Sequence, residues 1–141
     1  MKETKGIQVK WFGKRQFVGI DSGKHSVVMS SQDEDNRTGV KPSELLCIAL
    51  GGCTGYDVVT ILEKKRLVLK AFEIIISAEQ EDEPPSTFRH IHLTYRLTGK
   101  GLSEKAVADA IELSKTKYCS VGSTISGMAK ITSDFEIIEE E

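Results

Sequence analysis

The sequence predicts an α+β fold in which mainly antiparallel strands accompany a long apolar helix. Two observations support this prediction. Residues 90–98 alternate strictly between apolar and polar side chains, which is the period of a strand with one buried face. Residues 42–62 form the longest apolar run of the chain, and this run starts at a proline and is followed by three basic residues, as is typical of a helix.

The remaining segments complete the order β-β-β-α-β-β-α-(α)-β, and we interpret residues 1–141 as a single domain. Ser103 is the predicted N-cap of a second helix that ends near Lys117, and Ser120 is the predicted cap of a short third helix. Strands are expected within residues 6–20 (two, separated by a bend at Gly13-Lys14) and at residues 26–30, 68–78, 90–98 and 131–138.

The long helix has two unusual features. Apolar residues lie on nearly every side of it, which indicates a helix that is buried all round. Gly51, Gly52 and Gly55 lie in its interior, where each glycine costs about 1 kcal/mol relative to alanine. A chain tolerates this cost when another group approaches the backbone closely, and Cys53 lies among these glycines. The pattern therefore predicts a thiol held in a tight, buried place.

The composition excludes several classes of function. The net charge is −2 and the basic residues are scattered, so the chain has no electrostatic footprint for nucleic acid. The first residues lack the apolar segment of a signal peptide, and the most apolar run carries Glu44 and Asp57, so we expect a cytoplasmic protein without a membrane span. In a reducing compartment, three cysteines indicate inert, metal-binding or redox-active thiols rather than a disulfide scaffold.

Cys53 and Cys119 are the candidate reactive thiols. Most buried cysteines are inert packing, and this alternative stays open for both residues. Cys119 precedes a predicted helix start, where the helix dipole and the free N–H groups favour a thiolate. If the two Cα atoms lie within about 7 Å, a reversible disulfide can form. Cys47 lies six residues before Cys53 and faces another side of the helix, so we interpret it as packing.

Other chemistries fit the sequence less well. The chain has no Cys-x-x-Cys pair, and His90 and His92 lie on the polar face of a strand without a third ligand nearby in sequence, so we expect no metal and no cofactor. None of the three histidines, including His25, falls in a hydrolase motif.

Two segments carry a resemblance to a known family. They read Pro42-x-Glu44-Leu45-x7-Cys53-Thr54-x-Tyr56-Asp57-Val58-Val59 and Tyr118-Cys119-Ser120-Val121. This pattern resembles the OsmC/Ohr family, which comprises osmotically inducible protein C and the organic hydroperoxide resistance proteins, and is most similar to the shorter branch typified by YhfA. The resemblance covers essentially the whole chain. It implies an OsmC-like fold that forms an intertwined homodimer, with long central helices between two sheets and an active site at the subunit interface.

The resemblance also implies thiol-dependent reduction of organic hydroperoxides. In that scheme Cys53 is the peroxidatic cysteine, whose thiolate attacks the peroxide and becomes a sulfenic acid. Cys119 is the resolving cysteine, which condenses with the sulfenic acid to a disulfide. An external dithiol, which is a lipoyl group in well-studied family members, then reduces the disulfide. No metal or flavin is required.

The sequence departs from the family pattern beside the helix start. The peroxidase branches place a glutamate directly after the proline and hold it with an arginine from the N-terminal strands or loops. Here Ser43 follows Pro42 and Glu44 comes next, while Arg15 and Arg37 are the candidate arginines, each with a solvated surface charge as its alternative. The departure leaves two other functions open: a non-catalytic OsmC-like module that holds a small apolar or thiol-reactive ligand at the dimer interface, and a structural dimer with incidental thiols.

Overall fold

The computed structural model describes residues 1–140, and its α+β architecture confirms the predicted class and element order. The chain forms two compact units, of which the first comprises Met1–Leu46 and the second begins at Cys47. That these units form one domain stays a prediction. The elements are β1 Gln8–Trp11, β2 Gln16–Ile20, β3 Ser26–Ser30, α1 Pro42–Lys64, β4 Val68–Gln80, β5 Phe88–Lys100, α2 Glu104–Leu113, a π-helical turn Ser114–Tyr118, α3 Ser120–Ile125 and β6 Lys130–Glu139.

The first unit contains a three-stranded antiparallel sheet in the order β1-β2-β3. The predicted bend between β1 and β2 is present, and both Gly13 and Lys14 have a positive φ there. The turn before β3 is held by Asp21, whose Oδ1 accepts a hydrogen bond from the Gly23 N–H at 2.9 Å. Short strands joined by tight polar turns therefore form this antiparallel sheet.

The second unit contains the sheet β4-β5-β6, with β5 in the centre. β4 and β5 pair antiparallel, whereas β6 pairs parallel with β5 and places Phe135 opposite Tyr95. The chain between β5 and β6 passes through α2, the π-helical turn and α3, which provides the long crossover that parallel neighbours need. Within the described residues, three of the four strand pairings are therefore antiparallel, and the pairing of β6 with β5 is the exception.

The core of the second unit lies between β5 and the two longer helices. The alternation predicted for residues 90–98 is confirmed, because their apolar side chains are all buried. α2 begins at the predicted cap, where the Ser103 hydroxyl accepts a hydrogen bond from the Ala106 N–H at 3.1 Å. The buried residues of the core include Leu50, Val58, Leu62, Ile91, Leu93, Tyr95, Leu97, Val107, Ala110 and Ile111.

The expectation that α1 is buried all round is wrong for the single chain. Apart from the adjacent Leu50 and Gly51, its buried residues fall three or four positions apart, and together they form one stripe from Cys47 to Leu62. On another side, Ile48 is 54% exposed and Tyr56 is 73% exposed. These two residues line an open groove of about 920 Å³ between α1 and β4. One face of the helix is therefore apolar but uncovered.

The glycines of α1 are explained by strand β4 rather than by a second thiol. A Cβ atom at Gly51 would lie 2.8 Å from Cδ1 of Ile76, and one at Gly55 would lie 3.3 Å from Cδ1 of Ile74. A Cβ at Gly52 would meet nothing within 4 Å. Two of the three glycines therefore let the helix approach the sheet closely.

Helix α1 is long and apolar enough, by length and composition alone, to cross a membrane. The core helix of a soluble protein passes the same test, and α1 contributes one full stripe to the core of the second unit.

Candidate functional site

The structure brings Cys53 and Cys119 together in the second unit. Cys53 is half-buried in the middle of α1, and Cys119 is buried at the junction between the π-helical turn and α3. Cys53 lies close enough to Cys119 to raise the pKa of the Cys119 thiol, both by side-chain hydrogen bonding and by charge. Cys47 also lies in the core cluster, six residues earlier on α1. The two thiols that the sequence singled out therefore form a close pair.

The environment of Cys119 keeps that thiol protonated. Burial, the largest cause, acts together with the hydrogen bond to Cys53 and the charges of Cys53 and Asp57 to raise the pKa of Cys119 from 9.0 to about 11. The Gly122 N–H acts against them, because it donates to the Cys119 Sγ at 3.2 Å. The prediction that the helix start would favour a thiolate at Cys119 is wrong, since burial outweighs this one donor.

Cys119 itself is the N-cap of α3. Its extended backbone and its Sγ contact with the Gly122 N–H take the place that the sequence gave to the Ser120 hydroxyl, so the prediction for Ser120 is wrong. The preceding helix also ends differently, because α2 stops at Leu113 and continues as a π-helical turn through Tyr118. This turn carries the chain from α2 to the thiol, and such turns are frequent at functional sites.

A chain of buried hydrogen bonds lies beside the thiol pair. The Ser114 hydroxyl is 2.9 Å from Thr54 Oγ1 and 2.7 Å from Asp57 Oδ2. The Thr54 hydroxyl is in turn 2.9 Å from the Tyr95 hydroxyl. A hydroxyl carries one proton and an ionised carboxylate only accepts, so Ser114 donates to Asp57 when that carboxyl is ionised. Thr54 then donates to Ser114, and Tyr95 donates to Thr54.

Tyr95 closes this chain on the sheet side. Burial raises its pKa, the hydrogen bond with Thr54 opposes that shift, and the charges of Cys119 and Asp57 add to it. The phenol ring stacks on Phe72 with the ring centroids 6.4 Å apart. Tyr95 is therefore fixed on both its polar and apolar sides and remains a neutral hydrogen-bond donor.

A cavity of about 300 Å³ opens beside Cys119. Its deeper walls are mostly apolar and come from α1, α2 and the strands β5 and β6, whereas Lys115 and Lys130 are exposed residues of the lining. Among the described residues, the lining includes Cys119 but not Cys53. The site thus offers a buried thiol pair with an apolar approach to one of the two sulfurs.

Comparison with known proteins identifies the family of this chain. The family model for OsmC-like proteins matches residues 32–134. The chain belongs to the OsmC-like family. The resemblance seen in the sequence is therefore confirmed, and the match includes both Cys53 and Cys119.

This OsmC-like protein is similar in sequence or in structure to the following three proteins. Protein YhfA of Escherichia coli K12 is 35% identical over 131 residues, which is 93% of this chain and 96% of YhfA. The crystal structure of an OsmC-like protein from Mycoplasma pneumoniae has a TM-score of 0.84 at 15% identity, with 98% of this chain and 99% of that one covered. The organic hydroperoxide resistance protein OhrB of Bacillus subtilis has a TM-score of 0.61 at 13% identity, with 94% and 98% covered. The last two similarities show the fold.

The candidate assisting residues belong to the first unit. Glu44 lies exposed in the first turn of α1, and Arg37 is exposed in the loop that precedes this helix. The Arg15 side chain is also exposed, while its backbone N–H donates to Asn36 Oδ1 at 2.9 Å and its carbonyl accepts from the Ser31 N–H. The assisting roles of Glu44, Arg15 and Arg37 stay predictions.

The strand histidines lie in a hydrogen-bonded row on the outer face of the second sheet. His90 Nε2 is 2.6 Å and His92 Nδ1 is 2.7 Å from Thr132 Oγ1. His90 also contacts Glu79, and His92 contacts Asp134. Within residues 1–140, no group of three or more His, Cys, Asp and Glu side chains is arranged to hold a metal ion.

Sequence reasoning missed the polar chain of Thr54, Asp57, Ser114 and Tyr95. A signal was present, because Ser114 follows Ala110 by four residues and Ile111 by three, which continues the apolar side of α2, and a polar residue in such a stripe needs a buried partner. Thr54 and Asp57 lie three residues apart on α1 and therefore share a side of that helix. No single-chain pattern, however, indicated that this side faces the end of α2.

Proposed function

We propose that this OsmC-like protein reduces organic hydroperoxides by cysteine chemistry. The observation that carries the proposal is the pairing of Cys53 with Cys119. The relative OhrB is named an organic hydroperoxide resistance protein, and it shares this fold. A buried thiol pair of this kind can cycle between dithiol and disulfide without a metal or a flavin.

The proposed reaction begins at Cys53. Its thiolate attacks the outer oxygen of the hydroperoxide, the O–O bond breaks, and the alkoxide leaves as an alcohol after taking up a proton. Cys53 is now a sulfenic acid. The Cys119 sulfur attacks the Cys53 sulfur, a disulfide forms, and the hydroxyl leaves as water with the proton of the Cys119 thiol. A dithiol then returns two electrons and two protons to the pair.

The raised pKa of Cys119 fits the resolving role. A negative charge on Cys53 disfavours a second thiolate next to it, so Cys119 keeps its proton while Cys53 attacks. That retained proton is the one that the departing hydroxyl needs in the second step. The surroundings of the two cysteines therefore suit Cys53 to attack the peroxide and Cys119 to resolve the sulfenic acid.

Three further residues are proposed to assist. Glu44, Arg15 and Arg37 are the charged side chains of the first unit that could orient the peroxide or stabilise the Cys53 thiolate. Replacing each with alanine should identify the participant, because loss of an assisting charge lowers kcat/KM while the sulfhydryl count and the fold stay unchanged. Replacing an arginine that is only a solvated surface charge would leave kcat/KM within twofold of the wild-type value.

We also propose that the protein is a cytoplasmic homodimer. The apolar side chains of Ile48 and Tyr56 are exposed in the single chain, beside the open groove between α1 and β4. A second copy of the chain would cover this face, as the intertwined family fold implies. A reducing compartment would supply the dithiol that completes the cycle.

The decisive experiment measures turnover of cumene hydroperoxide and tert-butyl hydroperoxide with dihydrolipoamide or dithiothreitol. We expect the wild type to turn over and Cys53→Ser to fall to the uncatalysed background. Cys47→Ala is the matched control, since it removes a buried thiol from the same helix, and it should keep most of the activity. If the Cys53→Ser variant turned over peroxide as fast as the wild type, the proposed cysteine-based reductase activity would be refuted.

Intermediate trapping separates this function from its alternatives. Dimedone should label Cys53 in the Cys119→Ser variant after one equivalent of peroxide, and a peptide map of oxidised wild type should contain the Cys53–Cys119 disulfide. A retained apolar ligand in native mass spectra, together with no dimedone adduct, would favour the non-catalytic binding module. Oxidation without any Cys53–Cys119 disulfide would favour a structural dimer.

A further inference from the structure

The cavity beside Cys119 bears on how the disulfide is reduced. Thiol–disulfide exchange proceeds by attack of a thiolate on one sulfur and departure of the other, so the outcome depends on which sulfur the reductant reaches. Cys119 lines the cavity of about 300 Å³, and Cys53 is absent from its described lining. The cavity therefore offers a route to one sulfur of the pair only.

We propose that the reductant enters this cavity and attacks the Cys119 sulfur, so that Cys53 leaves as the thiolate. This inference rests on the disulfide of the proposed function and assigns its second half-reaction to a separate entrance. One thiolate of the dithiol forms a bond to the Cys119 Sγ while the S–S bond to Cys53 breaks. The second thiol then loses its proton to Cys119 and closes the reductant's own disulfide, which frees the Cys119 thiol.

The chemistry of the two sulfurs agrees with this direction. The better leaving group in exchange is the thiol of lower pKa, and Cys119, with a pKa of about 11, is a poorer leaving group than an ordinary thiol. Expulsion of Cys53 also returns the nucleophile of the first half-reaction directly as a thiolate. The next peroxide can then react without a further proton transfer.

The walls of the cavity indicate the class of reductant. Leu50, Leu93, Ile111 and Ile131 provide an apolar interior, and the volume suits a small molecule or a slender arm. Ser126 and Ser133 are exposed residues of the lining. A small dithiol, such as the lipoyl group that the family resemblance implies, is compatible with this volume, whereas the folded surface of a thioredoxin-like protein does not enter 300 Å³.

The first test asks which sulfur is attacked. The protein is oxidised with diamide, so that disulfide formation does not depend on peroxidase activity, and then treated briefly with 2-mercaptoethanol and quenched with N-ethylmaleimide. Mass mapping should find the mercaptoethanol adduct on Cys119 and the maleimide on Cys53. The reverse distribution would overturn the inference while leaving the peroxidase proposal intact. Failure of diamide to form the Cys53–Cys119 disulfide would overturn both.

The second test narrows the cavity. Ser126→Leu and Ser133→Leu place larger side chains at exposed positions of the lining, and Ser77→Leu adds the same side chain at an exposed position of β4 outside the cavity. Stopped-flow reduction of the diamide-formed disulfide by dihydrolipoamide should slow at least tenfold in the two cavity variants and less than twofold in the control. Disulfide formation by cumene hydroperoxide should stay within twofold in all three. Unchanged reduction rates in both cavity variants would overturn the proposed entrance.

Discussion

At the scale of single residues, the thiol of Cys119 responds to pH in a direction that its surroundings fix. Its pKa of about 11 in the folded chain lies above the ordinary value of 9.0. A group whose folded pKa is raised contributes its stabilisation fully below the unfolded pKa and loses it as the pH rises through the folded pKa. The contribution of Cys119 is therefore complete below pH 9 and is lost on approaching pH 11.

This predicts that the wild type loses stability relative to Cys119→Ser between pH 9 and pH 11. Urea unfolding with excess reductant, measured in steps from pH 8 to pH 11, gives the difference in free energy of unfolding between the two proteins. Because the groups that do not contact Cys119 titrate equally in both proteins, the difference reports the Cys119 thiol together with its coupling to Cys53 and Tyr95. Parallel curves across this range would show that burial does not hold the proton on Cys119.

Ser114 is the residue on which the buried polar chain depends. Its hydroxyl bonds both Thr54 and Asp57, and Ser114→Ala would leave those two groups short of a partner in the interior. An unsatisfied buried polar group costs about 1–3 kcal/mol, so the free energy of unfolding should fall by about that amount. Ser77→Ala, at an exposed position on β4, is the control and should change it by less than about 0.5 kcal/mol. If both variants lowered the free energy of unfolding in urea by the same amount, Ser114 would not be the link between Thr54 and Asp57.

At the scale of elements, the N-cap of α2 has a predicted energetic weight. Ser103→Ala removes the acceptor of the Ala106 N–H and should lower the free energy of unfolding by about 1 kcal/mol. Ser103→Asp keeps an acceptor and adds a negative charge at the positive end of the helix dipole, so it should be nearly neutral or slightly stabilising. Chemical denaturation of the two variants checks this order of stability. If the alanine variant were as stable as the aspartate variant, Ser103 would not stabilise α2 as its N-cap.

The elements differ in how fully the sequence determined them. The bounds of β3 and the start of α1 followed from turn residues and from Pro42, which are local signals. The strict alternation in β5 placed Tyr95 on the buried face for the same reason. The parallel pairing of β6 and the contact of Gly51 with Ile76 depend on residues far apart in the chain, and no local period encodes them.

The candidate site shows the same division. Cys53 and Cys119 could be selected because their residue type and flanking motif carry chemical meaning. The direction of the Cys119 pKa could not be predicted, since it depends on how deeply the thiol is buried and on the proximity of Cys53. Only a packed core determines these quantities.

At the scale of the whole molecule, the exposed face of α1 distinguishes a monomer from a dimer. An apolar side chain that stays in water gains nothing from folding, and a groove that exposes Ile48 and Tyr56 together is typical of a surface that binds another protein. The helix was expected to be buried all round, and a second copy of the chain is the cover that would make this expectation true.

A charge placed on this face should therefore separate the subunits. Tyr56→Glu introduces a carboxylate at a position that is 73% exposed in the single chain, where it would have little effect on a monomer. In a dimer the same carboxylate would be buried without a partner, which is costly. We expect sedimentation equilibrium to report a dissociation constant at least tenfold higher for Tyr56→Glu than for the wild type.

Ala108→Glu is the matched control for this experiment, because it adds the same charge at an exposed position of the other long helix, α2. It should leave the dissociation constant within twofold of the wild type, and circular dichroism should show that both variants keep the fold. If the wild-type protein sedimented as a monomer at micromolar concentration, the proposed homodimer would be wrong. The exposed apolar side of α1 would then bind another partner. Loss of dimer in Tyr56→Glu alone would instead assign this side of α1 to the contact between two copies.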